Sequence, residues 1–145
     1  MKKWIVCADR VGAVVYDWKR GEGSLQEIAR FSHPEGALDD KSLVSDKAGR
    51  MLNRGDGARQ AYAPKHEATE IEFQKFARQI GTYLESAGYK KEFDRLVLAA
   101  EPRTLGILKQ ELGLHANGGS TEFLNNELTH FKLAELKEYL NSHNL

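Results

Sequence analysis

The first thirty residues hold three strand-like runs, spaced too closely for any connection but hairpins. Trp4 to Ala8 is apolar throughout, as a central strand would be. Asp9-Arg10 supplies a turn, and Val11 to Trp18 forms the second run. Gly21-Glu22-Gly23-Ser24 marks another turn. Leu25 to Phe31 follows, with Leu25, Glu27, Ala29 and Phe31 on one side and Gln26, Ile28 and Arg30 on the other. Parallel neighbours need a crossover of roughly a dozen residues, so an antiparallel meander is predicted.

The second half alternates helix and strand. Phe73, Phe76, Ala77, Ile80, Leu84 and Ala87 recur at helical spacing. Thr69 and Glu72 form a candidate capping box, and Gly88 a C-terminal stop. Arg95 to Ala100 reads as a strand buried on both faces, typical of a parallel position. Pro102 suits the first turn of a helix carrying Leu105, Leu108 and Leu112, ended by Gly113. A short strand is expected near Glu122 to Asn126, and a last helix on Leu133, Leu136 and Leu140. The order β-β-β-α-β-α-β-α predicts one α/β domain over residues 1–145, with a mixed sheet in three layers. The ribonuclease H-like topology has this order. Topology alone assigns no nuclease chemistry.

At 145 residues the chain can bury a core without disulfides or metal. Cys7 is the only cysteine and lies in the first apolar run, where a buried small hydrophobe is expected. The 21 basic and 21 acidic residues cancel, so global charge selects neither nucleic acid nor membrane. The apolar run after Lys2-Lys3 stops at Asp9, too early for a signal peptide. No stretch approaches the roughly 20 apolar residues of a membrane span. A soluble, cytoplasmic protein is expected.

Residues 32–68 show no sustained period, and a long loop is predicted there. Within it, residues 41–65 carry six basic residues against two acidic, a net charge of +4. Arg54-Gly55-Asp56 matches an adhesion tripeptide by chance. Gly55-Asp56-Gly57 lacks the third glycine of a dinucleotide fingerprint, where Gln60 stands. His66-Glu67-Ala68-Thr69-Glu70 lacks the second histidine of a zinc-protease helix. There is no phosphate-binding Gly-Lys-Ser/Thr loop and no G-x-S-x-G elbow. No metal or cofactor is expected. Asp9 and Glu101 end two strands that such a sheet would bring together, and with a third carboxylate such as Glu122 they could hold metal ions. The plainer reading makes Asp9 a turn residue and Glu101 a helix-start residue. Arg50, Arg54 and Arg59, set among Gly55 and Gly57, form the candidate phosphate site, since guanidinium and exposed backbone N–H groups suit phosphate.

Several long stretches together resemble one family. They include WIVCADRVGAVVYD, HPEGALDDKSLVSDKAGR, EIEFQKFARQIGTYLESA and FDRLVLAAEPRTLGILKQEL. The most specific pieces are Leu43-Val44-Ser45-Asp46 with Gly49-Arg50, and Phe93 to Leu98 with Pro102-Arg103. From Trp4 to Leu140 the chain resembles the bacterial host-attachment proteins ("protein required for attachment to host cells"). That family is similar to the middle domain of archaeal and eukaryotic peptide-chain release factors, in which a mobile basic loop precedes a long helix. The resemblance implies an RNA or ribosome partner, with Arg50, Arg54, Gly55, Gly57, Arg59 and Arg103 at phosphate. The Gly-Gly-Gln of release factors is absent here, which points to binding rather than catalysis. The family description itself implies an alternative role in adhesion or at the envelope, and the Asp9–Glu101 pair a second alternative, a metal-dependent nuclease or phosphohydrolase.

Overall fold

The computed structural model describes residues 2–33, 57–112 and 120–145, with residues 57–69 described in backbone only. Three strands come first: β1 (Lys3–Ala8), β2 (Gly12–Lys19) and β3 (Ser24–Ser32), with a single 3-10 turn at Arg20–Glu22 between the last two. Helix α1 (Gly57–Tyr89), β4 (Arg95–Ala100), α2 (Pro102–Leu112), β5 (Ser120–Asn125) and α3 (Leu133–Ser142) complete the order predicted. The strands form one mixed sheet in the order β3-β2-β1-β4-β5. The meander pairs antiparallel, while β1 with β4 and β4 with β5 pair parallel.

Two cores form, one on each face of the sheet. Trp4, Val6, Ala8, Leu96, Leu98 and Ala100 point to the face covered by α1 and α2. The alternate residues Ile5, Cys7, Val97 and Ala99 point to the face covered by α3. The strand period of two makes this division automatic once β1 and β4 are central. On α1, Phe73, Phe76, Ile80 and Leu84 are at most 2% exposed. Burying each such side chain contributes about 1.5–3 kcal/mol. Leu136 and Leu140 of α3 close the other core, and the Trp18 Nε1–H donates to Leu145 O at 3.0 Å.

The alternation predicted for β3 does not survive pairing. Val15 lies opposite Ala29 but Tyr16 lies opposite Glu27, so Ile28 is an extra residue in β3. Such a bulge reverses which face the following residues meet. Leu25 therefore joins the α3 side, while Ala29 and Phe31 join the α1 side.

Helix α1 also departs from expectation. It begins at Gly57 rather than at the Thr69 capping box, so the predicted loop over residues 32–68 is shorter. Ala58, Gln60, Ala61, Ala63 and Ala68 are strong helix formers, and they carry the helix past Pro64. Residues 34–56 of that predicted loop lie outside the described residues. At the other end Gly88 is not the stop. Lys91 takes the left-handed conformation (φ 56°). The Glu92 N–H donates to Ala87 O at 2.9 Å and the Lys91 N–H to Gly88 O at 3.0 Å, which closes a Schellman motif.

Two backbone substitutions should move stability in opposite directions. A Cβ on Gly12 would stand 2.9 Å from Phe31 O in the neighbouring strand. Gly12→Ala should lower the unfolding free energy by about 1–3 kcal/mol. Lys91→Gly removes a left-handed side chain and should raise it by about 1 kcal/mol. Urea denaturation with unchanged m-values is the measurement, and equal signs for both would contradict this backbone account.

Candidate functional site

The register of β1 with β4 runs from Lys3 opposite Arg95 to Cys7 opposite Ala99. Asp9 and Glu101 each directly follow the C-terminal end of one of these two neighbouring strands. Both carboxylates are engaged there in local backbone capping. Asp9 Oδ1 accepts from the Val11 and Gly12 N–H groups at 2.8 and 2.9 Å, closing the β1–β2 turn. Glu101 Oε1 accepts from the Thr104 N–H at 2.7 Å and from the Thr104 hydroxyl, and Oε2 accepts from the Arg103 N–H at 3.3 Å. These groups satisfy orphan donors in the first turn of α2. Burial pushes the Glu101 carboxyl up, but the Thr104 and Arg103 hydrogen bonds, with the Arg10 charge, together bring it below the ordinary value.

Arg10 and His33 complete this end of the sheet. The Arg10 guanidinium lies 5.3 Å from the centre of the Phe73 ring and acts on Glu101. His33 is buried, stacked on Phe76 at 4.9 Å and edge-on to Phe73 at 5.9 Å. Its Nδ1 lies 2.7 Å from Arg10 O, so that nitrogen carries the proton and donates. Its backbone N–H donates to Val11 O at 2.8 Å. One histidine thus ties the end of β3 to the β1–β2 turn and to α1. Arg103 reaches Glu70 of α1 at 3.6 Å, with the two side chains 58% and 52% exposed. A cleft of about 220 Å³ adjoins the turn, with Asp9, Gly12, Arg30, Ser32 and Thr129 among its walls.

Among the sequence candidates, Asp9, Glu101 and Arg103 come together on this rim. Gly57 and Arg59 lie in the first turn of α1, whose first turn has no acidic residue. Ser45, Asp46, Gly49, Arg50, Arg54 and Gly55 lie outside the described residues. Glu122 does not join the pair. It sits opposite Val97, level with Ile5, and pairs with Arg95 at 3.7 Å. Four strand residues, about 13 Å, separate that level from Asp9. No group of three or more metal-ligating side chains occurs among the described residues. Arg10, His33 and Glu70 belong to the rim and were not singled out in the sequence. Arg10 carried a signal, since it directly follows Asp9 at the end of a central strand.

The Glu101 cap has a pH signature. Its carboxyl is held below the ordinary value of 4.5, so the unfolded chain binds the proton more readily. The cap therefore stabilises fully above that value and is lost as pH falls through the folded pKa. Glu101→Gln should cost about 1 kcal/mol at neutral pH. Urea denaturation should show that difference shrinking as pH falls below 4.5 and through the folded carboxyl's pKa, and a constant gap would refute the cap.

No helix among the described residues is long and apolar enough to cross a membrane. The family model described as "Protein required for attachment to host cells" matches residues 4–140. No curated protein gives a significant match.

Proposed function

The chain belongs to the family of proteins required for attachment to host cells, and we propose that it acts as a non-catalytic cytoplasmic domain binding RNA or ribosomes. The observation that carries this proposal is a basic segment that lies in the sequence between two residues, His33 and Glu70, that touch the arginine-bearing rim. Residues 41–65 have a net charge of +4; in the sequence they follow His33, whose ring donates to Arg10 O, and they precede Glu70, which pairs with Arg103. Arg59 stands in the first turn of α1, where the helix dipole also favours an anion.

Arg103 is available to a phosphate even though Glu70 faces it. An ion pair this exposed contributes at most about 1 kcal/mol, so a phosphate dianion competes for the guanidinium. Arg10 is the more fixed of the two, held between Phe73 and the Glu101 charge. The resemblance to release-factor middle domains supports RNA as the source of the phosphates, and the missing Gly-Gly-Gln supports binding without hydrolysis.

Binding of single-stranded RNA should weaken linearly with salt on log–log axes, each neutralised phosphate adding about −0.7 to the slope. Replacing Arg50, Arg54 and Arg59 together with Ala should make that slope shallower by about 2 and weaken binding at least tenfold at low salt. Electrophoretic mobility shift and ribosome co-sedimentation read both. Wild-type binding by the triple variant would remove the segment from the interface. The family description favours a second role, at the cell envelope. Protection of the chain from protease added to intact cells, with its recovery in the cytosol, would exclude that role.

A further inference from the structure

The opposite end of the sheet gathers positive charge on the face that carries α3. The strand registers place Leu25, Trp18, Lys3, Arg95 and Ser120 in one row across the five strands. Lys3 and Arg95 are therefore neighbours on parallel strands, and like charges so placed repel. Arg20 approaches from the 3-10 turn, its Nη2 donating to Asn144 Oδ1 at 2.8 Å. Arg95 has Glu122 at 3.7 Å. The Lys3 ammonium makes no hydrogen bond and no ion pair among the described residues. Burial lowers its pKa, and the Arg95 and Arg20 charges lower it further, with Glu122 opposing them.

Two of these charges, Lys3 and Arg20, border an open space. Lys3, Trp18, Lys19, Arg20, Gly21 and Glu22 line a cleft of about 470 Å³. A Cβ added to Gly21 would meet nothing within 4 Å, so the turn leaves room at the wall. The volume falls in the range of small-ligand sites, roughly 300–1,000 Å³.

We propose that this cleft binds a small phosphate monoester, its dianion held between the Lys3 ammonium and the Arg20 guanidinium, with the Arg95 charge beside Lys3 adding to the positive field. Arg20 is pre-oriented by Asn144, which limits the side-chain ordering needed on binding. Lys19 adds charge at the mouth. Glu22 on the same wall disfavours a second phosphate and accepts from hydroxyl groups, which favours a monoester over a diphosphate. The site lies about 20 Å, six strand residues, from the Asp9–Glu101 rim, and it uses none of the residues assigned to RNA.

An amide NMR titration with inorganic phosphate and glycerol 3-phosphate, at constant ionic strength, tests the proposal. Shifts should concentrate at Lys3, Lys19, Arg20, Gly21 and Arg95. Lys3→Met should weaken glycerol 3-phosphate binding roughly tenfold or more, as loss of a charge-assisted hydrogen bond does. It should also leave the free protein at least as stable, because it removes a repelled ammonium. Arg20→Gln, away from the strands, provides a second variant should Lys3→Met misfold, with the same loss expected. The Arg50, Arg54 and Arg59 triple variant should bind the monoester as wild type does. Shifts confined to the Asp9–Glu101 rim, pyrophosphate binding more tightly than the monoester, or unchanged affinity in both cleft variants would overturn the proposal.

Discussion

The parallel pairing of β1 with β4 is the contact on which the rest of the molecule depends. Ile5, Val6, Ala8, Leu98, Ala99 and Ala100 are wholly buried, and they serve two cores at once. A pair of strands apolar on both faces is unstable unless both faces are covered. That requirement places α1 and α2 on one side and α3 on the other, and it leaves β2, β3 and β5 as the outer strands. It also decides the chemistry of Cys7. Burial pushes its thiol up to about 12, so it stays protonated and packs as a small hydrophobe.

With both faces of the central pair filled, polar chemistry is confined to the ends of the strands, and the two ends are built differently. At the C-terminal end each charge has a local partner. Asp9 and Glu101 accept backbone donors, Arg10 meets Phe73 and the Glu101 charge, and Arg103 meets Glu70. At the N-terminal end Lys3, Arg20 and Arg95 crowd together with less compensation. A fold keeps unfavourable local electrostatics where something outside the fold offsets them, which is why perturbed charges cluster at binding sites.

The parts legible in the sequence were those governed by neighbours in the chain. β4 and α2 fall where the apolar run, Pro102 and the leucine spacing put them, because each signal is local. The caps at Asp9 and Glu101 are local too, and their ordinary uses were readable. The faces of β3 were not, because a bulge arises from pairing with β2 and leaves no mark in Leu25 to Phe31 itself. The start of α1 was obscured by Pro64, whose local cost favours a break that the alanine-rich flanks override. The Lys3–Arg20–Arg95 cluster was invisible for a related reason. Its members come from three separate elements, and only the register makes neighbours of Lys3 and Arg95.

The bulge at Ile28 links the fold to the candidate RNA surface. Before it, β3 faces the α3 core through Leu25; after it, Ala29 and Phe31 face the α1 core. His33 continues that side and packs its ring on Phe76. An unbulged β3 in the same register at Leu25 would turn Ala29, Phe31 and the following odd positions towards α3, since one residue of slip exchanges the faces. His33 would then face away from α1 and lose its stacking on Phe76. A single inserted residue in an edge strand therefore sets which core His33 joins, and its contacts with Phe76 and Arg10 follow from strand pairing rather than from any motif in the sequence around it.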